Sequence, residues 1–293
     1  MILVDYSGIA VATLFSRGSN SMDGLMEEGL IRHQILNTLR AYNVKFRNEF
    51  GQMYLAIDGG AKWRRDIFPE YKASREVVRK KSGVDWAEFY RILNLVKAEI
   101  AENIPFKVVM IHGCEADDII ATMVEASQEF GVNEKIMIVS SDKDFLQLQR
   151  YKNVKQFSPI KGQLIVSKDP IRDLHEKILR GDAGDGVPNV LSGDKVFITA
   201  GARQTPLMAK KVNGWLDKFN DLSTVMPTEV YRNFMRNQAM INLSLIPENM
   251  KNKIMEVAEA TSVAPNSKVL NYLISKRCAM LTSCASEFFG RTN

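Results

Sequence analysis

The chain has 293 residues, 45% of them hydrophobic and 25% charged, with a net charge of +5. That is an ordinary globular balance, long enough for one large domain or two, and no stretch approaches the roughly 20 apolar residues that cross a bilayer. The three cysteines (Cys114, Cys278, Cys284) and three histidines (His33, His112, His175) follow no zinc or disulfide pattern; this argues against both and points to a reducing, cytoplasmic compartment.

Residues 2–4 form a first apolar run, ILVD, which ends in Asp5. Because Asp5 interrupts the apolar start and no basic leader precedes it, a strand followed by a helix is expected there rather than a signal peptide. Leu30, Ile35 and Leu39 then recur at helical spacing, and YLAID closes a second strand, 53–57, on Asp58. The segment 62–81 holds eight Lys/Arg, among them Arg64, Arg65, Lys72, Arg75, Arg79, Lys80 and Lys81, against three acids, with Trp63, Phe68 and Tyr71 interleaved. Cations hold phosphates while bases stack on rings, and a loop after a strand borders the site at that strand's carboxyl end. Hence 62–81 is expected to be an active-site flap, mobile over 76–84 without substrate; a solvated helix face is the plainer reading.

A second helical pattern, Trp86, Phe89, Leu93, Val96 and Ile100, leads to strand 106–111 and the cluster Glu115, Asp117, Asp118. Those acids open a helix whose apolar face is Ile119, Ile120, Met123 and Val124, so ordinary capping competes with metal binding. Strand 135–139 is followed by Ser140, Ser141, Asp142 and Asp144, where an Asx-turn is the alternative. Runs 154–158 and 163–167 suggest a hairpin. From Ile171 onward the chain reads as mainly helical, with breaks near Pro188, Pro206, Pro227, Pro247 and Pro265, and Asp182 and Asp185 lie in a glycine-rich turn near its start.

Strand-length runs alternating with helices predict an α/β fold with a mostly parallel sheet buried on both faces, and ligands collect at the carboxyl ends of such strands. Asp5, Asp58, Glu115 and Asp142 all fall there. Nine carboxylates at one place repel one another, so cations are expected among them, and hard oxygen donors suit Mg²⁺ or Mn²⁺. Setting those nine aside leaves 25 acids against 39 bases, a charge of +14 that attracts a polyanion. No GxxxxGK[ST], strand-following GxGxxG or GxSxG is present, which removes support for nucleotide-binding and α/β-hydrolase readings.

The segments ILVDYSGIA, AIDGGAKWRRDIFPEYKASR, CEADDIIA, VSSDKDFLQL, KNVKQFSP and ILRGDAGDGV together resemble the 5′-nuclease superfamily of flap endonucleases and polymerase 5′-exonuclease domains, and within it the T-even-type phage ribonuclease H branch. The resemblance is looser to about Lys211 and weak beyond. It implies a PIN-like nuclease domain over 1–170 with a basic helical arch at about 60–85, and a smaller helical duplex-binding subdomain over 171–293. It implies two Mg²⁺ ions, replaceable by Mn²⁺: one at Asp5, Asp58, Glu115, Asp117 and Asp142, the other at Asp144, Asp182 and Asp185 with Asp118 nearby. Lys72 and Arg75 would steady the scissile phosphate. Arg64, Arg65, Tyr71, Arg79, Lys80 and Lys81 would contact the substrate strand, and Arg203, Lys210 and Lys211 the duplex. Where most relatives carry a Gly-Ile-Gly turn, which often binds potassium, this chain reads VPNVLSGDKVFITAGARQTPLMAKK.

The function implied is magnesium-dependent 5′–3′ exonuclease, flap endonuclease and ribonuclease H activity on RNA–DNA hybrids and DNA flaps in phage lagging-strand replication, in the host cytoplasm. The enzyme would be a monomer with no membrane association. A single-stranded-DNA-binding protein and a sliding clamp are partners to consider. A catalytically silent junction-binding protein and a related nuclease acting mainly on RNA are the alternatives. Phe288 and Phe289 either dock on such a partner or, the favoured reading, pack on their own domain.

Overall fold

A computed structural model describes residues 1–15 and 27–289, apart from the side chains of 13–15, 77, 78, 80 and 130. In chain order the first half runs β1 (Ile2–Asp5), α1 (Tyr6–Phe15), α2 (Glu28–Phe50), β2 (Met53–Ile57), α3 (Lys62–Ile67), α4 (Ser74–Lys81), α5 (Trp86–Asn103), β3 (Lys107–Met110), α6 (Ala116–Gln128) and β4 (Ile136–Val139). A 3-10 helix (Lys143–Arg150), β5 (Val154–Ser158) and β6 (Gln163–Ile165) follow. Helices α7 (Pro170–Arg180), α8 (Ala209–Leu216), α9 (Leu222–Val225), α10 (Thr228–Ile241), α11 (Glu248–Ala260), α12 (Ser267–Ser275) and α13 (Ala279–Thr282) complete the chain.

The six strands form one sheet in the order β3-β2-β1-β4-β5-β6. All neighbours are parallel except β5 and β6, which make the expected hairpin, with Phe157 opposite Leu164. Strand β1 lies between β2 and β4, pairing Ile2 with Met53 on one side and with Met137 on the other. Successive strands build outward from β1 in one direction and then the other, which leaves a crevice beyond their carboxyl ends.

Ile2, Leu3 and Val4 are all fully buried because helices cover both faces. One face packs on α1, α2 and α5 through Ile35, Leu39, Phe89 and Ile100. In α2 the inward residues are Ile31, Ile35, Leu36 and Leu39; Leu30, placed on the apolar stripe by spacing, is only half-buried. The other face packs on α6 through Ile119, Ile120, Met123 and Val124, the four residues its periodicity marks.

The helices after α7 divide among cores. Ile178, Val212, Trp215 and Phe234 enclose a third core together with Ala61, Phe68 and Tyr71 from the basic segment. Ile254 and Ala258 of α11 join the α6 face, and Val269, Leu273, Leu281 and Phe288 return to the α2/α5 face. Phe288 is buried, with its ring 6.2 Å from that of Phe106, and Asn43 donates to the Glu287 carbonyl. The two phenylalanines therefore pack inward on this chain rather than standing free, though on the α2/α5 face of the sheet and not among the helices of 171–293, Phe289 partly buried against the same core; residues 290–293 lie outside the described residues. Among the described residues all three cysteines are free, and no helix is long and apolar enough to cross a membrane.

Candidate metal centre and substrate cleft

Each carboxylate arrives from a strand end or a helix start. Asp5 ends β1, where its Oδ1 accepts from the Gly8 amide (2.8 Å) and its Oδ2 from the Ser140 hydroxyl (3.1 Å). A Cβ at position 8 would sit 2.3 Å from Asp5 Oδ2, so any larger residue there would push this carboxylate out of its place. Asp58 follows β2 and accepts from the Ala116 amide at the start of α6 (3.0 Å). Asp142 follows β4, and its Oδ1 accepts from the Asp144 amide (2.9 Å), so the Asx-turn does form. The Asp142 amide donates to Ser140 Oγ, which makes that serine a common support for Asp5 and Asp142. Asp182 and Asp185 occupy a tight turn closed by paired Asp182 and Val187 backbones. Gly181 opens this turn at φ 73°, where a Cβ would lie 2.4 Å from the Val187 carbonyl.

The nine acids do not share one electrostatic fate. Among the described residues, five have cationic side chains against them. Glu115 Oε2 accepts from Arg64 Nη1 at 2.8 Å, and Lys72 pairs with Oε1. Asp118 Oδ1 lies 2.7 Å from Arg64 Nη2. Asp185 takes Arg75 and, at 3.4 Å, Lys72. Asp144 and Asp182 share Lys177. Burial acts to raise Asp185, but Lys72 and Arg75 outweigh it and hold this carboxyl below the usual range.

The other four, Asp5, Asp58, Asp117 and Asp142, make no ion pair among the described residues. Burial, and then the Asp58 charge, push Asp5 up to about 6. Burial and Asp142 push Asp117 well above the ordinary carboxylate range. Burial raises Asp142 against the opposing pull of Lys177, with Asp185 and Asp182 adding to the rise. Such a set is at odds with itself unless positive charge enters. Its donors are all hard oxygens, which fits Mg²⁺ or Mn²⁺ and not a soft metal. As placed, no three such side chains among the described residues converge closely enough to enclose an ion; lysine and arginine fill part of the role that spacing assigned to metal alone.

Several expected contacts are corrected by burial. Arg64, expected on the substrate strand, is 2% exposed. It stacks on Trp63 at 4.4 Å and joins Glu115 to Asp118, anchoring α3 on the start of α6. Asp118, expected beside a metal, is fully buried; its Oδ2 accepts from Trp63 Nε1 (3.1 Å) and from the Glu115 amide (2.9 Å), so the capping reading holds for it. Tyr71 is 3% exposed, its hydroxyl within 3.0 Å of Glu115 Oε2 and 2.8 Å of Asp185 Oδ2. With Trp63 and Phe68 also buried, none of the three aromatics of 62–81 is free to stack on a base.

Arg65, Lys72, Arg75 and Arg79 do line an open cleft of about 800 Å³ that also holds Asp58, Glu115 and Tyr90. Lys72 reaches the acids through a left-handed backbone (φ 59°) tied by its amide to the Asp185 carbonyl at 2.8 Å. Lys81 is exposed at the end of α4, and the Lys80 side chain lies outside the described residues. Arg203, Lys210 and Lys211 are exposed around the start of α8. In the segment that replaces the Gly-Ile-Gly turn, the buried Arg236 guanidinium donates to the Pro188 carbonyl at 2.9 Å and pairs with Asp194 at 2.5 Å. Lys177 is the important residue that motif reasoning missed as part of the centre, because a lone lysine on an amphipathic helix carries no distinctive spacing; Ser140, by contrast, stands beside the acids in sequence and orients two of them.

A family model described as the 5′–3′ exonuclease, N-terminal resolvase-like domain matches residues 1–176. The chain belongs to the 5′–3′ exonuclease family. As a member it is a phosphodiester-hydrolysing nuclease. A second model, described as T4 RNase H, C terminal, matches residues 169–288. The chain is 32% identical to Ribonuclease H of Enterobacteria phage T4 over 294 aligned residues, covering 98% of this chain and 95% of that protein. It is 32% identical over 135 residues to a 5′–3′ exonuclease of Buchnera aphidicola, covering 44% of each. The fold of this exonuclease-family chain matches that of the T5 D15 protein co-crystallised with metal ions (TM-score 0.60, 17% identity, 88% of this chain and 98% of that one). It also matches the T5 D15 flap endonuclease in a complex with DNA and metal ions (TM-score 0.61, 16% identity, 88% and 98%).

Proposed function

We propose that this family member is a magnesium-dependent 5′–3′ exonuclease and flap endonuclease with ribonuclease H activity, acting on RNA primers in RNA–DNA hybrids and on DNA flaps during phage lagging-strand replication. The observation that carries the reading is the set Asp5, Asp58 and Asp142 at the strand ends and Asp117 in the first turn of α6, which makes no ion pair among the described residues, beside a cleft edged by arginine and lysine. A silent binding protein would gain stability by losing these acids, so their presence favours catalysis. The likeness to a protein named Ribonuclease H over nearly the full chain supports the hybrid substrate, and the DNA-bound fold neighbour supports the flap substrate.

Asp5, Asp58, Asp117 and Asp142 would hold one Mg²⁺, with Glu115 close by. Asp144, Asp182 and Asp185 would hold a second, and Mn²⁺ would substitute. Bound there, divalent ions supply Lewis-acid chemistry, acidifying water and offsetting charge on the phosphate. Lys72 and Arg75, now paired with Glu115 and Asp185, would turn to the scissile phosphate and offset the charge that develops on it. Arg65, Arg79 and Lys81 would bind backbone phosphates along the cleft, as would Lys80. Tyr90, which lines the cleft with Arg79 over its ring, would take the stacking role that Tyr71 cannot, and Arg203, Lys210 and Lys211 would hold the duplex. The enzyme would work as a monomer in the host cytoplasm beside a sliding clamp and a single-stranded-DNA-binding protein, neither of which would dock on the buried Phe288.

Asp142→Asn tests the reading. With a 5′-labelled flap and a 5′-labelled RNA–DNA hybrid in magnesium, the variant should lose cleavage at least about 100-fold while junction binding in EDTA stays near wild type. Cleavage near the wild-type rate would overturn the metal assignment, and internal RNA cleavage with no 5′-end dependence would overturn the 5′-nuclease reading.

A further inference from the structure

Lys177 sits in the last turn of α7, and its ammonium touches two carboxylates from different parts of the fold: Asp144, from the first turn of the 3-10 helix after β4, and Asp182, just beyond α7, at 2.7 Å. All three side chains are largely buried, at 24%, 14% and 24% exposure respectively. A lysine so placed offsets one of the two charges on Asp144 and Asp182, two of the three acids that the reading above gives to the second ion. It would repel any dication bound there.

Lys177 also has somewhere else to go. Asp173 lies one helical turn earlier on α7, and an acid four residues before a lysine is the favourable orientation for a pair along a helix face. Lys143, Asp144, Asp173, Glu176, Lys177 and Arg180 line a cavity of about 420 Å³ along this side of α7. A lysine stem turns freely about its four carbons, so the ammonium can leave Asp144 and Asp182 for Asp173 through that space. Asp173 at present accepts only a neutral hydrogen bond that the structure records, from the Ser167 hydroxyl at 2.5 Å. Glu176 is already paired with Arg180 at 2.6 Å and does not compete as strongly.

We propose that Lys177 is a displaceable internal counter-ion of the Asp144–Asp182 pair, which a divalent ion must drive toward Asp173 before it can bind there. The inference rests on the metal reading above and deepens it. Two consequences follow. The Asp5, Asp58, Asp117 and Asp142 set, which has no paired cation to displace among the described residues, fills first. The Asp144–Asp182 set fills second and more weakly, so Lys177 positions its ligands and sets the order of loading.

The test is Mn²⁺ binding to the substrate-free protein, followed by calorimetry and by the loss of the free-ion paramagnetic resonance signal. Wild type should show two classes of site. In Lys177→Met the weaker class should tighten about fivefold, the scale of a partly exposed ion pair, with the stronger class unmoved; Lys177→Arg, which keeps the charge, should behave as wild type. Asp173→Asn should weaken the second class in the wild-type background and have no effect in Lys177→Met, because only a displaced lysine needs the landing site. An unchanged or weaker second class in Lys177→Met would overturn the proposal, as would an Asp173→Asn effect of equal size in both backgrounds. Wild-type protein that binds no Mn²⁺ in either class would instead refute the metal reading on which it rests.

Discussion

Replacing Asp5 with asparagine should make the metal-free protein more stable and inactive at once. Burial and the Asp58 charge raise the Asp5 carboxyl to about 6, against an ordinary aspartate near 3.9. The sign follows from linkage: a carboxyl raised in the folded state does not oppose folding below its unfolded value, and its penalty grows as pH rises from the unfolded value to the folded one and is complete above it. At pH 7.5 the ionised carboxylate costs the fold at most about 3 kcal/mol. Solvent reaches part of Asp5, and asparagine offers one oxygen where the carboxylate accepts from both Gly8 and Ser140, so a net gain of about 1–2 kcal/mol is expected. For a chain of this size that raises the melting temperature by roughly 2–5 °C. Thermal melts in EDTA should show this gain at pH 7.5 and lose it at pH 4.5, where only about a third of the carboxylate penalty is present and the lost acceptor offsets it. With saturating Mn²⁺ the order should reverse, because the ion then binds and stabilises wild type more strongly. An Asp5→Asn protein that melts below wild type in EDTA at pH 7.5 would refute the idea that these acids are mutually strained.

Two further outcomes test the corrections that burial imposes. Arg64→Ala should destabilise by about 3–5 kcal/mol in urea denaturation, because it leaves Glu115 and Asp118 buried without their partner; a loss below about 1 kcal/mol would return Arg64 to the substrate strand. Phe288→Ala should cost about 3 kcal/mol through the cavity left beside Phe106, whereas unchanged stability together with lost partner stimulation would make Phe288 a docking residue after all.

The placement of the acids was legible because it depends on local order. A strand buried on both faces is a short apolar run, and Asp5, Asp58 and Asp142 lie at the carboxyl ends of such runs: the last residue of β1, the first after β2 and the third after β4. The apolar face of α6 was equally plain from its period. The fate of the basic residues was not legible. Arg64 and Arg65 are neighbours in sequence, yet one is sealed against Glu115 and Asp118 while the other lines the cleft, because α3 turns adjacent side chains to opposite surroundings. Tyr71 likewise reads as an exposed ring for stacking until Leu174, Val190 and Phe234 are seen to close a core around it. Lys177 carried no motif at all; its meaning arises where the 3-10 helix after β4 and the turn after α7 come together. By itself the amino-acid order determined the fold class, the acid-rich strand ends and the likeness to the family, since each is written in short-range pattern. Only the tertiary structure decided which acids keep their charge uncompensated, because pairing depends on distances between residues far apart in the chain.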